Sequence, residues 1–478
     1  MSDLFSIGSS ALLSYRRALD TIGHNVANVD TVGYSRQQVT LSTRTPTATG
    51  QGVYGNGVYA STVTRSASDL VQQRLVSGAS QVGYFQMQSE LAVRLDSLLS
   101  DSSLSVGAGL DGFFTAVEAV AADPTSTAAR QSLLAAGEDF VRRIGTLSHQ
   151  FQALDGELAF EFESAVASTN GLSSQIADLN EQIALATGRS GGNPPNDLLD
   201  QRDELIRTLA GELDIRTVMS DTGELNVFAQ SGQALVLGAQ AYSLTVVDDP
   251  LGGSLPQLGI ETQGGVVNIS NQVGGGRLGG ILAASDGLSA TRGQLTQLAL
   301  GITEQFNAVH AQGMTPDGQA GGAVFSSASI GVQTHAANSG GAGLTVSVAD
   351  PGNLPGHDPE LRFDGSQWLR VDGGTAVALS GAGTADDPLM IDGLSVVVGG
   401  TPAANDRFRV DLGSELGAVR MQLSDPDGIA AAGALNVEAS ATNTGTLAVD
   451  QVTAEQGDAA GFGAAGRLVF TAPGQGSI

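Results

Sequence analysis

Four carboxylates fall within eight residues, Asp197, Asp200, Asp203 and Glu204. Two such groups held close together could act as general acid and general base. The same residues also open a helical segment, NDLLDQRDELIRTLAGELDI, from Asn196. Asn196 stands where an N-cap belongs, acids suit the positive end of a helix dipole, and Asp203 is spaced i,i+4 from Arg207. The local pattern therefore predicts a capped helix start. GAGLDG at 107–112 has the spacing of a dinucleotide fingerprint, but no apolar strand precedes it and no acid ends a second strand about 20 residues later. A turn before a helix beginning near Phe113 is expected instead. The glycines at 274–280 are followed by no Gly-Lys-Ser/Thr, so they form no phosphate loop. Histidines stand at 24, 149, 310, 335 and 357 and never pair at i,i+4, while HDPE at 357–360 reads as a solvated loop. With no cysteine and no convergent acid, base or nucleophile, neither a metal, a cofactor nor an enzyme activity is expected.

The elements that carry these residues are mostly helices. Leu158, Phe162, Ala165, Thr169, Leu172, Ile176, Leu179, Ile183 and Ala186 recur at alternating spacings of four and three. Phe140, Ile144, Leu147, Phe151 and Leu154 keep the rhythm upstream. One helix over 128–187 would be roughly 90 Å long, a length that belongs to bundles and coiled coils. Residues 66–101 predict another long helix with Leu91, Leu95 and Leu98 on one side, and 285–311 a third with Leu295, Leu298, Ile302, Phe306 and Val309 on one face. Short apolar runs over 214–270, and again from 326, read as antiparallel strands between Gly, Asp and Pro turns. The fold class expected is multi-domain α+β, a long-helix coiled-coil or bundle scaffold with inserted antiparallel β domains. Segments 1–65, 66–213, 214–270, 271–325 and 326–478 divide it.

Bulk composition narrows the partners. All 22 cations are arginines against 49 acids, a formal charge of −27, which disfavours nucleic acid and anionic membranes. No stretch of 18 apolar residues exists to insert in a membrane. Glycine is abundant, at 65 of 478 residues, and aromatics are only 5%, which suits elongated β domains. The first twenty residues have neither a basic n-region nor a continuous apolar core of a secretory signal.

Within residues 4–29, Leu12, Tyr15, Leu19, Ile22 and Val26 form a coiled-coil seam that Phe5 extends by one heptad. An ordinary surface helix fits that periodicity equally well. Because the seam has no partner in an isolated monomer and a short isolated helix is marginal in water, residues 1–60 are expected to be largely unfolded there. The helix runs into NVANVDTVGYSR, where Asn28, Asp30 and Gly33 favour a bend and Tyr34 opens an extended run. Asn25, Ala27, Asn28, Thr31, Gly33, Tyr34 and Arg36 in this window resemble the N-terminal signature of the flagellar axial proteins, the rod, hook and hook-associated subunits. Further on, Asn196, Asp197, Leu198, Leu199, Asp200, Gln201, Arg202 and Asp203, followed by DTGELNVFAQSGQALVLG from Asp221, are similar to the first hook-associated protein family in particular.

That resemblance implies a structural subunit at the hook–filament junction, with 1–65 in the inner tube, the helices outside it and the β insertions outermost. It implies a homo-oligomer in the axial lattice, the hook protein and second junction protein as neighbours, a flagellar export chaperone, and export without a cleaved signal peptide to an extracellular flagellum. A hook or rod subunit is the alternative within the class, and a secreted wall-cutting hydrolase with a flagellar-type N-terminus the alternative outside it. Family members close with a C-terminal amphipathic helix, whereas this sequence stops at GRLVFTAPGQGSI, so a fragment or truncated product is expected.

Overall fold

A computed structural model of the chain describes residues 2–433 apart from 50, 51, 221, 222, 254, 263, 327–329, 373, 374, 414–416 and 418, together with 469–472 and 475–477. Much of the segment after 433, and the start of the turn read at Asp221, therefore lie outside the described residues. The mixed α+β class read from the sequence is the one found. Six α-helices occur among the described residues: α1 (Ser2–Ala27), α2 (Asp69–Leu99), α3 (Val106–Ala122), α4 (Thr127–Arg189), α5 (Asn196–Glu212) and α6 (Gly276–His310). The chain forms two compact units, passing between them within α2, α4 and α6 and again on either side of 250–252.

The first unit comprises 1–93, 155–249 and 253–286. Its core is built on the stripe of α4: Leu158, Phe162, Ala165, Ile176, Leu179 and Ile183 are buried with Ile206 and Leu209 of α5. A four-stranded antiparallel sheet, Ile215–Met219, Leu225–Ala229, Ala234–Leu237 and Gln240–Ala241, follows α5. Asn180 on α4 donates to the Leu225 and Gly238 carbonyls at 2.9 and 2.8 Å, tying this sheet to the helix. Helix α1 packs on the hairpin of Gln37–Thr43 and Val58–Arg65 through small residues. Ser10 and Ser14 are buried, Ser14 Oγ reaches the Val58 carbonyl at 3.3 Å, and a Cβ on Gly57 (φ +87°) would collide with Ser10. The N-terminal segment thus has partners within the chain that its apolar periodicity does not reveal.

The second unit comprises 94–154, 250–252 and 287–478. Phe113, Phe140, Phe306 and Phe325 form an aromatic cluster with ring centroids 5.0 to 6.4 Å apart. Helix α3 begins at Val106, not near Phe113, and so takes GAGLDG inside the helix. Ser105 caps it, accepting from the Ala108 amide, and Gly109 is buried where a Cβ would meet Arg143 at 2.8 Å. Local reading favoured a turn because glycine is a poor helix former; close helix packing is what the glycine serves. The face of α6 read from the sequence is only partly buried: Leu295, Ile302 and Phe306 are half-buried, and Phe306 joins the aromatic cluster. Leu298 and Val309 are exposed, while Thr296, Ala299, Leu300 and Thr303 are buried. Beyond α6, the strands Gly331–Thr334, Arg407–Asp411, Glu360–Phe363, Trp368–Arg370 and Val377–Ala378 form a five-stranded sheet in that order.

Candidate functional site

The two motifs singled out in the sequence meet in the first unit. Helix α1 ends at Ala27, and Asn28 turns the chain, its amide bonding back to the His24 carbonyl at 3.1 Å. Thr31 and Tyr34 close successive turns on Asn28 and Thr31. Gly33 holds φ +82°, a conformation open to glycine, and its face lies against α5, where a Cβ would come within 2.9 Å of Glu204 Oε2. Asn25 fastens the bend from inside. Its Oδ1 accepts from the Tyr34 hydroxyl at 2.7 Å and the Gln37 amide at 2.8 Å, and its Nδ2 donates to the Gln37 carbonyl at 2.8 Å. Partial burial, with Asp197 and Asp200 nearby, pushes the Tyr34 phenol above its usual range and keeps it a donor. Ala27 and Arg36 are exposed; the Arg36 carbonyl accepts from the Ser66 amide at 2.9 Å.

The acids of α5 receive this bend. Asp197 accepts from Gln37 Nε2 at 2.7 Å and faces His24 Nε2 at 3.3 Å. Asp200 accepts from the Ser35 amide at 2.9 Å and, with Asp203, grips Arg65 Nη1 at 2.9 and 2.6 Å. These three side chains are 17% exposed or less, so the pair is shielded from solvent screening. Burial works against the Arg65 charge, but Asp203 and Asp200 outweigh it and hold the guanidinium more firmly protonated. Two local expectations are corrected here. Asn196 is not the N-cap, which is Pro195; Asn196 is buried and donates to the Val63 carbonyl at 2.8 Å. Asp203 does not pair with Arg207, which instead holds Glu204. In both cases a partner from 1–65 displaces the neighbour within the helix.

The rest of the second motif supports the same joint. Arg202 is buried and donates from Nη1 to Asn180 Oδ1 at 3.0 Å, linking α5 to the residue that ties down the sheet. Leu198 and Leu199 are half-buried, and exposed Gln201 lines a cleft of about 630 Å³ between the 28–34 bend, α4 and α5. Sequence reasoning missed Ser35, Gln37, Val63, Arg65 and Asn180, and no spacing pattern marks them.

The seam of α1 points elsewhere. Leu12, Tyr15, Leu19, Ile22 and Val26 are 56 to 73% exposed, and Phe5 and Val29 are as open. No group of three or more His, Cys, Asp or Glu fit to hold a metal occurs among the described residues. No described helix is long and apolar enough to cross a membrane.

The helix, bend and helical body described above belong to a structural protein of the bacterial flagellum, as three family profiles show. The profile of the flagellar hook-associated protein FlgK helical domain matches residues 92–325, that of the flagellar hook-associated protein 1 D2-like domain 333–411, and that of the flagella basal body rod protein 5–34. Flagellar hook-associated protein 1 of Salmonella typhimurium is 33% identical over 416 residues, 85% of this chain and 74% of that protein. Its Escherichia coli counterpart is 30% identical over 411 residues, 85% of this chain and 75% of that protein. The solved structure of the flagellar hook junction protein FlgK from Burkholderia pseudomallei superposes with a TM-score of 0.67 at 27% identity, covering 75% of this chain; the chain spans 66% of that structure's length. The chain belongs to the flagellar hook-associated protein 1 family, a structural family of the flagellum.

Proposed function

We propose that the chain is a structural subunit of the hook–filament junction that associates with further copies of itself through the α1 seam and provides the platform for the second junction protein and the filament. One observation carries this reading. The same four–three periodicity is buried along α4 and bare along α1, so the α1 stripe is an apolar surface left for another molecule. The reading extends to the hook protein as neighbour on one side, the second junction protein on the other, an export chaperone before assembly, and delivery outside the cell; membership of a flagellar structural family is what supports it. A hook or rod subunit is less favoured, since the helical domain matched over 92–325 is that of FlgK and the rod profile extends only over 5–34.

Ile22→Asp tests it. Placing a carboxylate in an apolar contact between copies costs several kcal/mol, against about 1.5–3 kcal/mol gained by burying one aliphatic side chain. In a strain carrying this variant we expect folded, exported, monomeric subunit, hooks without filaments, and flagellin shed to the medium. Normal filaments would show that the seam is no assembly surface. A loss of core stability would show that it packs within the subunit.

A further inference from the structure

The residues matched by the rod profile, 5–34, are of a kind shared among axial proteins, whereas the 196–203 acids lie in the helical domain particular to this family. Arg65 belongs to neither region, yet its side chain ties the hairpin on which α1 packs to the acids of α5. We propose that Asp200 and Asp203, acting on Arg65 and on the Ser35 amide, are positioning residues: a latch that sets the shared N-terminal segment on this family's helical body in the orientation that presents the α1 stripe. The proposal rests on the assembly reading above and adds to it the device that aims the surface.

The geometry has the marks of a fixed joint. One cation is shared by two carboxylates at 2.9 and 2.6 Å, and Gln72 Nε2 reaches the same Asp203 oxygen at 3.4 Å. The second oxygen of Asp200 holds a backbone amide of the bend, so this one carboxylate grips the strand end and the loop together. Asn196 adds a third tie, to the Val63 carbonyl two residues before Arg65. Each contact spans more than 130 residues of sequence, so none is needed to form α5 or the hairpin by itself. Because Gly33 lies against Glu204, the bend also has little room to slide along α5.

The test is amide hydrogen exchange on the isolated 478-residue chain carrying Asp200→Asn with Asp203→Asn, which keeps shape and removes both charges. Leaving Arg65 buried without a counter-charge should raise exchange over residues 28–37 by roughly a hundredfold, most of all at Ser35, while the amides of 206–210 stay protected. Arg65→Gln should give the same pattern from the other side, and Asp203→Glu in an otherwise natural chain should retain most of the protection. Unchanged exchange at 28–37 in either neutralised variant would overturn the latch. So would equal loss of protection at 206–210, which would make the acids part of the helix's own stability. The readout needs no flagellum, so its failure leaves the Ile22→Asp result standing, and the reverse holds too.

Discussion

His310 shows how one polar side chain can be given a single protonation state by its surroundings. It ends α6, is buried, and stacks on Phe306 at 6.3 Å between centroids. Its Nδ1 lies 2.7 Å from the Gly322 carbonyl, which can only accept, and its Nε2 lies 2.8 Å from the Ala430 amide, which can only donate. The neutral Nδ1–H tautomer satisfies both; a second proton on Nε2 would face a donor. Burial lowers the imidazole below its usual range, with the Gly322 carbonyl partly opposing. The unfolded state therefore binds the proton more readily, and stability must rise with pH across the interval from the folded value up to about 6.5. Unfolding midpoints of the second unit should fall as pH drops below about 6.5, and His310→Gln should remove that part of the slope. A slope unchanged in the variant would assign it to the carboxylates. At the same scale, Asn180→Ala strips two carbonyls and Arg202 of a buried partner at once. It should lower the stability of the first unit by about 1–3 kcal/mol in denaturant titration, more than a surface asparagine would.

Among elements, α4 and α1 set the limit of what periodicity can say. Both carry a heptad stripe, and in sequence the two look alike; only the structure separates a stripe with partners from one without. Ile176→Asp should unfold the first unit, because Ile176 is fully buried, whereas the same change at Ile22 should leave its melting temperature in place. Two unfolded variants, or two folded ones, would erase the distinction. The long helices were legible in the sequence because their apolar spacing is local, and α2, α4 and α5 begin close to where their patterns do. The joint was legible only as two separate motifs. Its contacts join residues 131 to 173 apart, and the acids of α5 have an adequate local explanation in the helix dipole, so nothing in 196–207 asks for a distant cation. Asn196 and Asp203 were misassigned for that reason: a side chain able to serve its own helix was taken by a strand and an arginine from elsewhere. The α6 face misled differently, since Thr296 and Thr303 are buried and a scan for large apolar residues passes over them.

At the scale of the whole molecule, charge bears on how copies come together. The formal total is −27, yet the first 75 residues hold six arginines against four acids, a balance of +2. The segment that carries the bare stripe thus does not share the acidic excess of the remainder of the chain. Copies approaching through α1 still bring the acidic remainder of each chain within range, and that repulsion is long-ranged at low salt, where the Debye length is about 10 Å at 0.1 M, and short at high salt, about 3 Å at 1 M. An apolar contact is not weakened by screening. Association of the purified chain should therefore strengthen as sodium chloride rises from about 0.05 to 0.5 M, read as an increase in weight-average mass by sedimentation equilibrium, and Ile22→Asp should abolish the increase. The opposite sign has a definite meaning. If mass falls with salt, ion pairs between Arg16 or Arg17 and acids of a neighbouring copy carry the contact, because those are the cations that flank Tyr15 on the exposed side of α1. Arg16→Gln and Arg17→Gln would then weaken association where the apolar reading expects them to leave it unchanged.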